Sequence, residues 1–282
     1  MHDQIGRAVQ EAAEHMVLKR YSNSTQKTYL FFLKDFFYRF QEVNPNDLGD
    51  DHVHQYLLQI IRKGCSSSTQ NQAVNALKFY FEKVLGRDRK LYRLQRPRKE
   101  TKLPTVLSSD EVRRLLEYTP NLKHKALLSL IYACGLRIGE VLDLRLRDIS
   151  KTDQVIHIKE AKGKKDRIVP LSPKLLELLR TYYRDYKPLT YLFEGQKGKG
   201  TQYSGKSAQQ VLKRSLKRAR IRKKATLHTL RHSYATHLLM AGTNLRMIQK
   251  LLGHNSSKTT EIYTHITDVQ IAQVVSPFDK IA

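Results

Sequence analysis

Six polar side chains between residues 137 and 263 have the types and order needed to hold one phosphodiester and attack it: Arg137, Lys162, His228, Arg231, His254 and Tyr263. They lie in the strings GLRIGE (135–140), KGKKDR (162–167), HTLRH (228–232), LLGH (251–254) and IYTH (262–265). Cutting a phosphodiester without a metal builds extra negative charge on the non-bridging oxygens, and fixed cations must meet it. Arginine suits that role because its planar fork binds two oxygens and stays charged. Arg137 and Arg231 are the candidates. A nucleophile must also attack, and the leaving 5′ oxygen needs a proton. His228 and Arg231 are three apart in a helical pattern and so share a face. Glu140 follows Arg137 by three residues and reads as the acid that orients it. Lys162 falls at a turn from which a flexible ammonium can reach inward.

Taken singly, each of these residues has an ordinary structural alternative. An arginine on a helix is usually solvated or salt-bridged, Lys162 stands among Lys164 and Lys165, and Tyr263 is one of 15 tyrosines. His232 and His237 read as packing residues. The set gains meaning only from its order and from the elements that position it.

Those elements differ along the chain. Helical periodicity runs through about 5–19, 25–41, 50–63 and 68–85, with Ser24 and Asp50 as expected N-caps. The aromatics from Tyr29 to Phe40 read as the core of this small helical domain, ahead of a base-stacking surface. Residues 86–104 change character, with eight basic residues and two prolines, and predict an extended basic linker crossing the partner's backbone. Beyond Pro104 helices are expected near 109–118, 121–134 and 138–145. A β-hairpin follows, from Val155–Lys159 and Arg167–Leu171. Further helices are expected near 173–185, 206–220, 227–241, 244–252 and 256–262. Ala126–Leu136 is the longest apolar run, too short to span a bilayer, and predicts a buried helix.

Fifty-one Lys and Arg against 26 Asp and Glu leave a net charge of +25. Such an excess implies a polyanionic partner, nucleic acid ahead of a membrane surface. Lys213–Lys224 carries eight basic residues in twelve and is expected to touch DNA backbone through Lys213, Arg214, Lys217 and Arg218, with Lys206 nearby. Two cysteines, Cys65 and Cys134, make no disulfide framework or zinc spacing and fit a reducing cytosol. The polar start MHDQ is no signal peptide. The segment GTQYSGKS (200–207) matches the phosphate-loop pattern letter for letter, but a polar glycine-rich stretch stands where the buried strand should be, so a basic loop near DNA is expected rather than an ATP site.

Taken together, the motifs resemble the tyrosine recombinase (phage integrase) family, and the resemblance covers nearly the whole chain. It implies two domains: an all-α, SAM-like core-binding bundle over 1–95, and, after a basic linker over 96–104 that includes Arg96, Arg98 and Lys99, a mainly α catalytic domain with a small antiparallel sheet over 105–282. It also implies roles. Arg137 and Arg231 clamp the phosphate, His228 and His254 donate hydrogen bonds and assist proton transfer, Lys162 protonates the leaving 5′-hydroxyl, and Tyr263 forms a 3′-phosphotyrosine. Rejoining then needs neither ATP nor metal, and no cofactor is expected. The implied partners are a double-stranded recombination site and three further copies of the chain, two per site, acting as a clamp on cytoplasmic, nucleoid-associated DNA. The tail 266–282, with Val269, Val274, Val275 and Phe278, would pack on a neighbouring subunit or in cis. Three readings stay open: recombination for Xer-type dimer resolution or for a mobile element, type IB topoisomerase-like relaxation, and DNA binding without catalysis. Only about 20 residues precede the second helix, too few for a separate arm-binding module.

Overall fold

A computed structural model describes residues 2–87, 104–159, 166–196, 198 and 200–253. The chain divides into two units, Met1–Thr101 and Lys102–Ala282.

The first unit is helical: α1 (His2–Leu18), α2 (Asn23–Arg39), α3 (Asp50–Arg62) and α4 (Ser67–Phe79), the last continuing as a π-helical turn over Tyr80–Val84. The expected N-caps shift by one or two residues. Ser22, not Ser24, is extended (φ −61°, ψ 148°), and its hydroxyl accepts from the Thr25 N–H. Gly49, not Asp50, precedes α3, and its N–H donates to His52 Nδ1. Asp50 instead sits in the first turn, where a carboxylate favours the positive end of the helix. Phe32, Phe36 and Phe37 are buried with Tyr56, Tyr80 and Phe81, largely in edge-on contacts. Phe31 and Tyr38, at 65% and 55% exposure, stand outside that core.

The second unit is built around α6 (Leu122–Cys134), buried throughout Ala126–Ile131 and packed against α8 (Pro173–Tyr186) and α10 (Leu227–Met240). The other helices are α5 (Ser109–Glu117), α7 (Ile138–Asp143), α9 (Gly205–Arg218) and α11 (Leu245–Leu252). A three-stranded antiparallel sheet runs β1 (Ile149–Ser150), β2 (Val155–Ile158), β3 (Arg167–Pro170). In β2–β3, Ile156 pairs with Val169 and Ile158 with Arg167. β1 joins the anticipated hairpin as a third strand; at two residues it is too short to carry a periodic signal. The phosphate-loop look-alike opens α9 through the Ser204 cap, and the residues before it form isolated bridges, Arg145–Tyr191 and Glu194–Gln202. Among the described residues no strand leads into it.

Gly135 ends α6 at φ +60°, and a Cβ there would lie 2.3 Å from Cδ1 of Tyr234. Only glycine fits, on grounds of both backbone and space. Its carbonyl is thereby turned toward α10, with the consequence described next. Residues 88–103 of the expected linker, the expected helix near 256–262, and the tail lie outside the described residues.

Candidate active site

The site forms where α7, β3, α10 and the end of α11 meet around one carboxylate. Arg137 caps α7 in extended conformation. Glu140, one turn on, accepts from the Arg137 backbone N–H through Oε2 (2.8 Å) and from its Nη1 through Oε1 (2.8 Å). The acid therefore fixes both the backbone and the guanidinium of Arg137. Arg167, the first residue of β3, reaches the same carboxylate in a two-pronged pair, Nη1 to Oε1 at 2.9 Å and Nη2 to Oε2 at 2.7 Å. Arg231 brings a third guanidinium, its Nη1 3.8 Å from Glu140 Oε2. Burial opposes ionisation of Glu140, but hydrogen bonds from Arg167 and Arg137 outweigh it and hold the carboxyl at about 2.

The other anchor is the C-terminus of α11. The last carbonyls of a helix have no partner within it and carry its partial negative charge. Here three consecutive ones each take a different arginine: Leu251 O accepts from Arg167 Nε (2.8 Å), Leu252 O from Arg231 Nη2 (2.7 Å) and Gly253 O from Arg137 Nη2 (3.1 Å). Arg231 is held from the far side as well, since Gly135 O accepts from its Nη1 at 2.8 Å. Arg231 is fully buried, the largest fully buried side chain described. Three guanidiniums face one carboxylate, so the cluster keeps a positive surplus that suits an anion.

His228 lies one turn before Arg231 on α10 and is exposed. Partial desolvation, then Arg231 and Arg137, push its pKa below the usual histidine value. Its ring meets that of His232 edge-on at 4.4 Å. His232 is pushed down to about 4 by burial, then by His228 and Arg231. His237 pairs through Nδ1 with the Tyr132 hydroxyl at 2.9 Å, away from the arginines. Of the residues singled out from sequence, Arg137, Glu140, His228 and Arg231 are thus brought together. Lys162, His254, Tyr263, Arg96, Arg98 and Lys99 lie outside the described residues. Lys206, Lys213, Arg214, Lys217 and Arg218 are exposed along α9, whose buried residues Ala208, Val211, Leu212, Ser215 and Leu216 face the core.

Arg167 escaped the sequence reading because it is 27 residues from Glu140 and follows closely on Lys162, Lys164 and Lys165 in the chain. Its one distinguishing signal was position: it is the cation that opens β3.

Family models place this architecture. The phage integrase family model matches residues 105–270, and the phage integrase N-terminal SAM-like domain matches residues 9–91. The chain belongs to the phage integrase family. The recombinase, of the tyrosine-type site-specific class, is 38% identical over 272 residues to a putative integrase/recombinase, y4qK, of Sinorhizobium fredii, covering 96% of this chain and 88% of that one. It is 34% identical to tyrosine recombinase XerA of Pyrococcus furiosus, over 95% of this chain and 92% of that one. Among solved structures, XerH bound to its difH substrate in a post-cleavage complex superposes with a TM-score of 0.72 at 25% identity, over 90% of this chain and 80% of that one. The two-domain class, a SAM-like helical domain followed by a mainly α catalytic domain with a small antiparallel sheet, is the one expected from the motifs. Among the described residues no helix is long and apolar enough to cross a membrane.

Proposed function

We propose that the recombinase cuts and rejoins DNA through a 3′-phosphotyrosine formed by Tyr263. The phenolic oxygen attacks the scissile phosphorus as the bond to the 5′ oxygen breaks. Lys162 protonates that oxygen, giving a free 5′-hydroxyl. Arg137 and Arg231 meet the charge on the non-bridging oxygens, aided by His228 and His254. The lowered pKa of His228 leaves its imidazole neutral at pH 7, with a nitrogen able to accept the phenol proton. Attack by the 5′-hydroxyl of another strand reverses the chemistry and releases the tyrosine. Bond energy is conserved, so the cycle consumes no ATP and asks for no metal.

The observation that carries this reading is the positive surplus of three guanidiniums fixed around Glu140 and the end of α11. In strand exchange we place four copies on two duplex sites, with the 266–282 tail exchanged between neighbours and the basic residues of the 96–104 linker and of α9 on the DNA backbone. Integration or excision of a mobile element and Xer-type dimer resolution, both in the cytoplasm on nucleoid DNA, fit this chemistry equally.

Tyr263→Phe tests the nucleophile. It should bind DNA as the parent does and yield no covalent complex on a nicked suicide substrate; a persisting complex assigns the attack elsewhere. Relaxation of supercoiled plasmid without any paired-site requirement would favour the topoisomerase-like reading.

A further inference from the structure

Three guanidiniums surround Glu140, but their donors are used differently. Arg137 keeps 26% of its side chain exposed. Arg167 is 8% exposed, and all three of its donor nitrogens are spent on protein: Nε on Leu251 O, Nη1 and Nη2 on Glu140. Three of its five N–H groups are so engaged, and the fork that could grip a phosphate faces Glu140 instead. Its stem lies against Gly253, where a Cβ would stand 3.0 Å from Arg167 Cδ and 3.1 Å from Nη1. Gly253, at φ +62°, closes α11 and offers the carbonyl that Arg137 holds. Arg167 thus fills the gap between the carboxylate that orients Arg137 and the helix end that receives all three arginines.

We propose that Arg167 is a positioning residue for strand cleavage, acting through Glu140 and the last turn of α11 rather than on DNA. The fork geometry is what the task needs. Two parallel bonds to Glu140 fix the plane of its carboxylate, and that plane decides where Arg137 points. The third bond, to Leu251 O, locks β3 to the last turn of α11. A lysine can supply charge to Glu140 but cannot make both connections. Loss of the fork should let the phosphate clamp drift. A misplacement of about 1 Å in such a site costs roughly 10²-fold in rate.

This inference rests on the cleavage reading above, and the test separates the two. Single-turnover covalent-complex formation on suicide DNA is measured for the parent, Arg167→Gln, Arg167→Lys, Glu140→Gln and the Arg167→Gln/Glu140→Gln double variant, alongside DNA affinity and thermal midpoint. Arg167→Gln should cleave about 30–100-fold more slowly with affinity within about threefold of the parent. Arg167→Lys should recover part of that loss. In the Glu140→Gln background the same substitution should cost less than about threefold, since both act through one carboxylate. Parent-like cleavage by Arg167→Gln, additive losses in the double variant, or a loss of affinity as large as the loss of rate would overturn the proposal. If Arg167→Gln does not fold, a folded Arg167→Lys that cleaves at the parent rate overturns it equally, and one that cleaves slowly with intact affinity supports it. A parent chain that forms no covalent complex sinks the cleavage reading itself.

Discussion

Each unit of this recombinase contains a carboxylate held by arginine, and the two are built to different ends. In the N-terminal unit Asp35 on α2 takes a two-pronged pair from Arg39, one turn on, and a 2.8 Å hydrogen bond from the Tyr56 hydroxyl on α3. Arg39 spends its remaining fork on Gln59 at 3.1 Å. One cation meets one anion, and the network ties α2 to α3 over an aromatic core. Burial and the Asp35 carboxylate push the Tyr56 phenol up, so it stays a hydrogen-bond donor. In the C-terminal unit one carboxylate meets three guanidiniums, and the extra cations are held by backbone carbonyls instead of acids. Carbonyl dipoles fix an arginine's direction without cancelling its charge. The same pair of side chains is thus set in two ways: charge neutrality marks the first, and a fixed positive surplus, which suits an anion, marks the second.

That contrast can be broken most sharply at Arg231. Arg231→Lys cannot hold Gly135 O and Leu252 O together while facing an anion, and should slow cleavage about 10²–10³-fold. The matched change Arg39→Lys should leave the cleavage rate of folded protein unchanged and cost on the order of 1 kcal/mol in denaturant unfolding. Equal rate losses from both would mean that the surplus has no special role.

Next in size are the carboxylates. Glu140→Gln leaves three guanidiniums facing a neutral amide and should destabilise the protein by about 3 kcal/mol while cutting the cleavage rate. Asp35→Asn should cost about 1–2 kcal/mol and spare the rate. Thermal scans and single-turnover assays on the same samples check both.

The pH dependence should fall in two windows. His232 is held down to about 4, and His228, His124 and His237 are also lowered. Below about 6.5 the unfolded chain therefore binds protons that the folded chain refuses, and stability declines between about 6.5 and 4. Glu140 runs the opposite way in origin: held at about 2, it contributes stability above its ordinary value of 4.5 that is lost as pH falls from there to about 2. His232→Gln should flatten the first window and leave the second. An unchanged slope between 6.5 and 4 would remove His232 from the account.

The smallest effects belong to α9. Lys213→Gln and Lys217→Gln should each weaken DNA binding alike on all sequences and lower the slope of log affinity against log salt by about 1.

What was legible in the sequence follows the range of the interaction. The Arg137–Glu140 pair and the His228–Arg231 pair each lie within one helical turn, so helix geometry alone brought them together on paper. The β2–β3 hairpin and the buried α6 were readable because alternation and an unbroken apolar run are local patterns. The N-caps missed by one or two residues for two reasons: Ser22 and Ser24 offer equivalent oxygens and only the extended backbone selects Ser22, while α3 starts after an extended Gly49 that has no side-chain oxygen to read.

The family, the two-domain class and the basic charge were all readable from the order of the residues alone. Only the tertiary structure decided that Arg167 belongs with Glu140 and that Leu251, Leu252 and Gly253 each receive an arginine. The reason is physical. A backbone carbonyl has no residue identity, so the partner it offers leaves no mark in the sequence. Gly135 and Gly253 come nearest to such a mark, because left-handed turns aim those carbonyls and a Cβ would crowd Tyr234 at the one and Arg167 at the other.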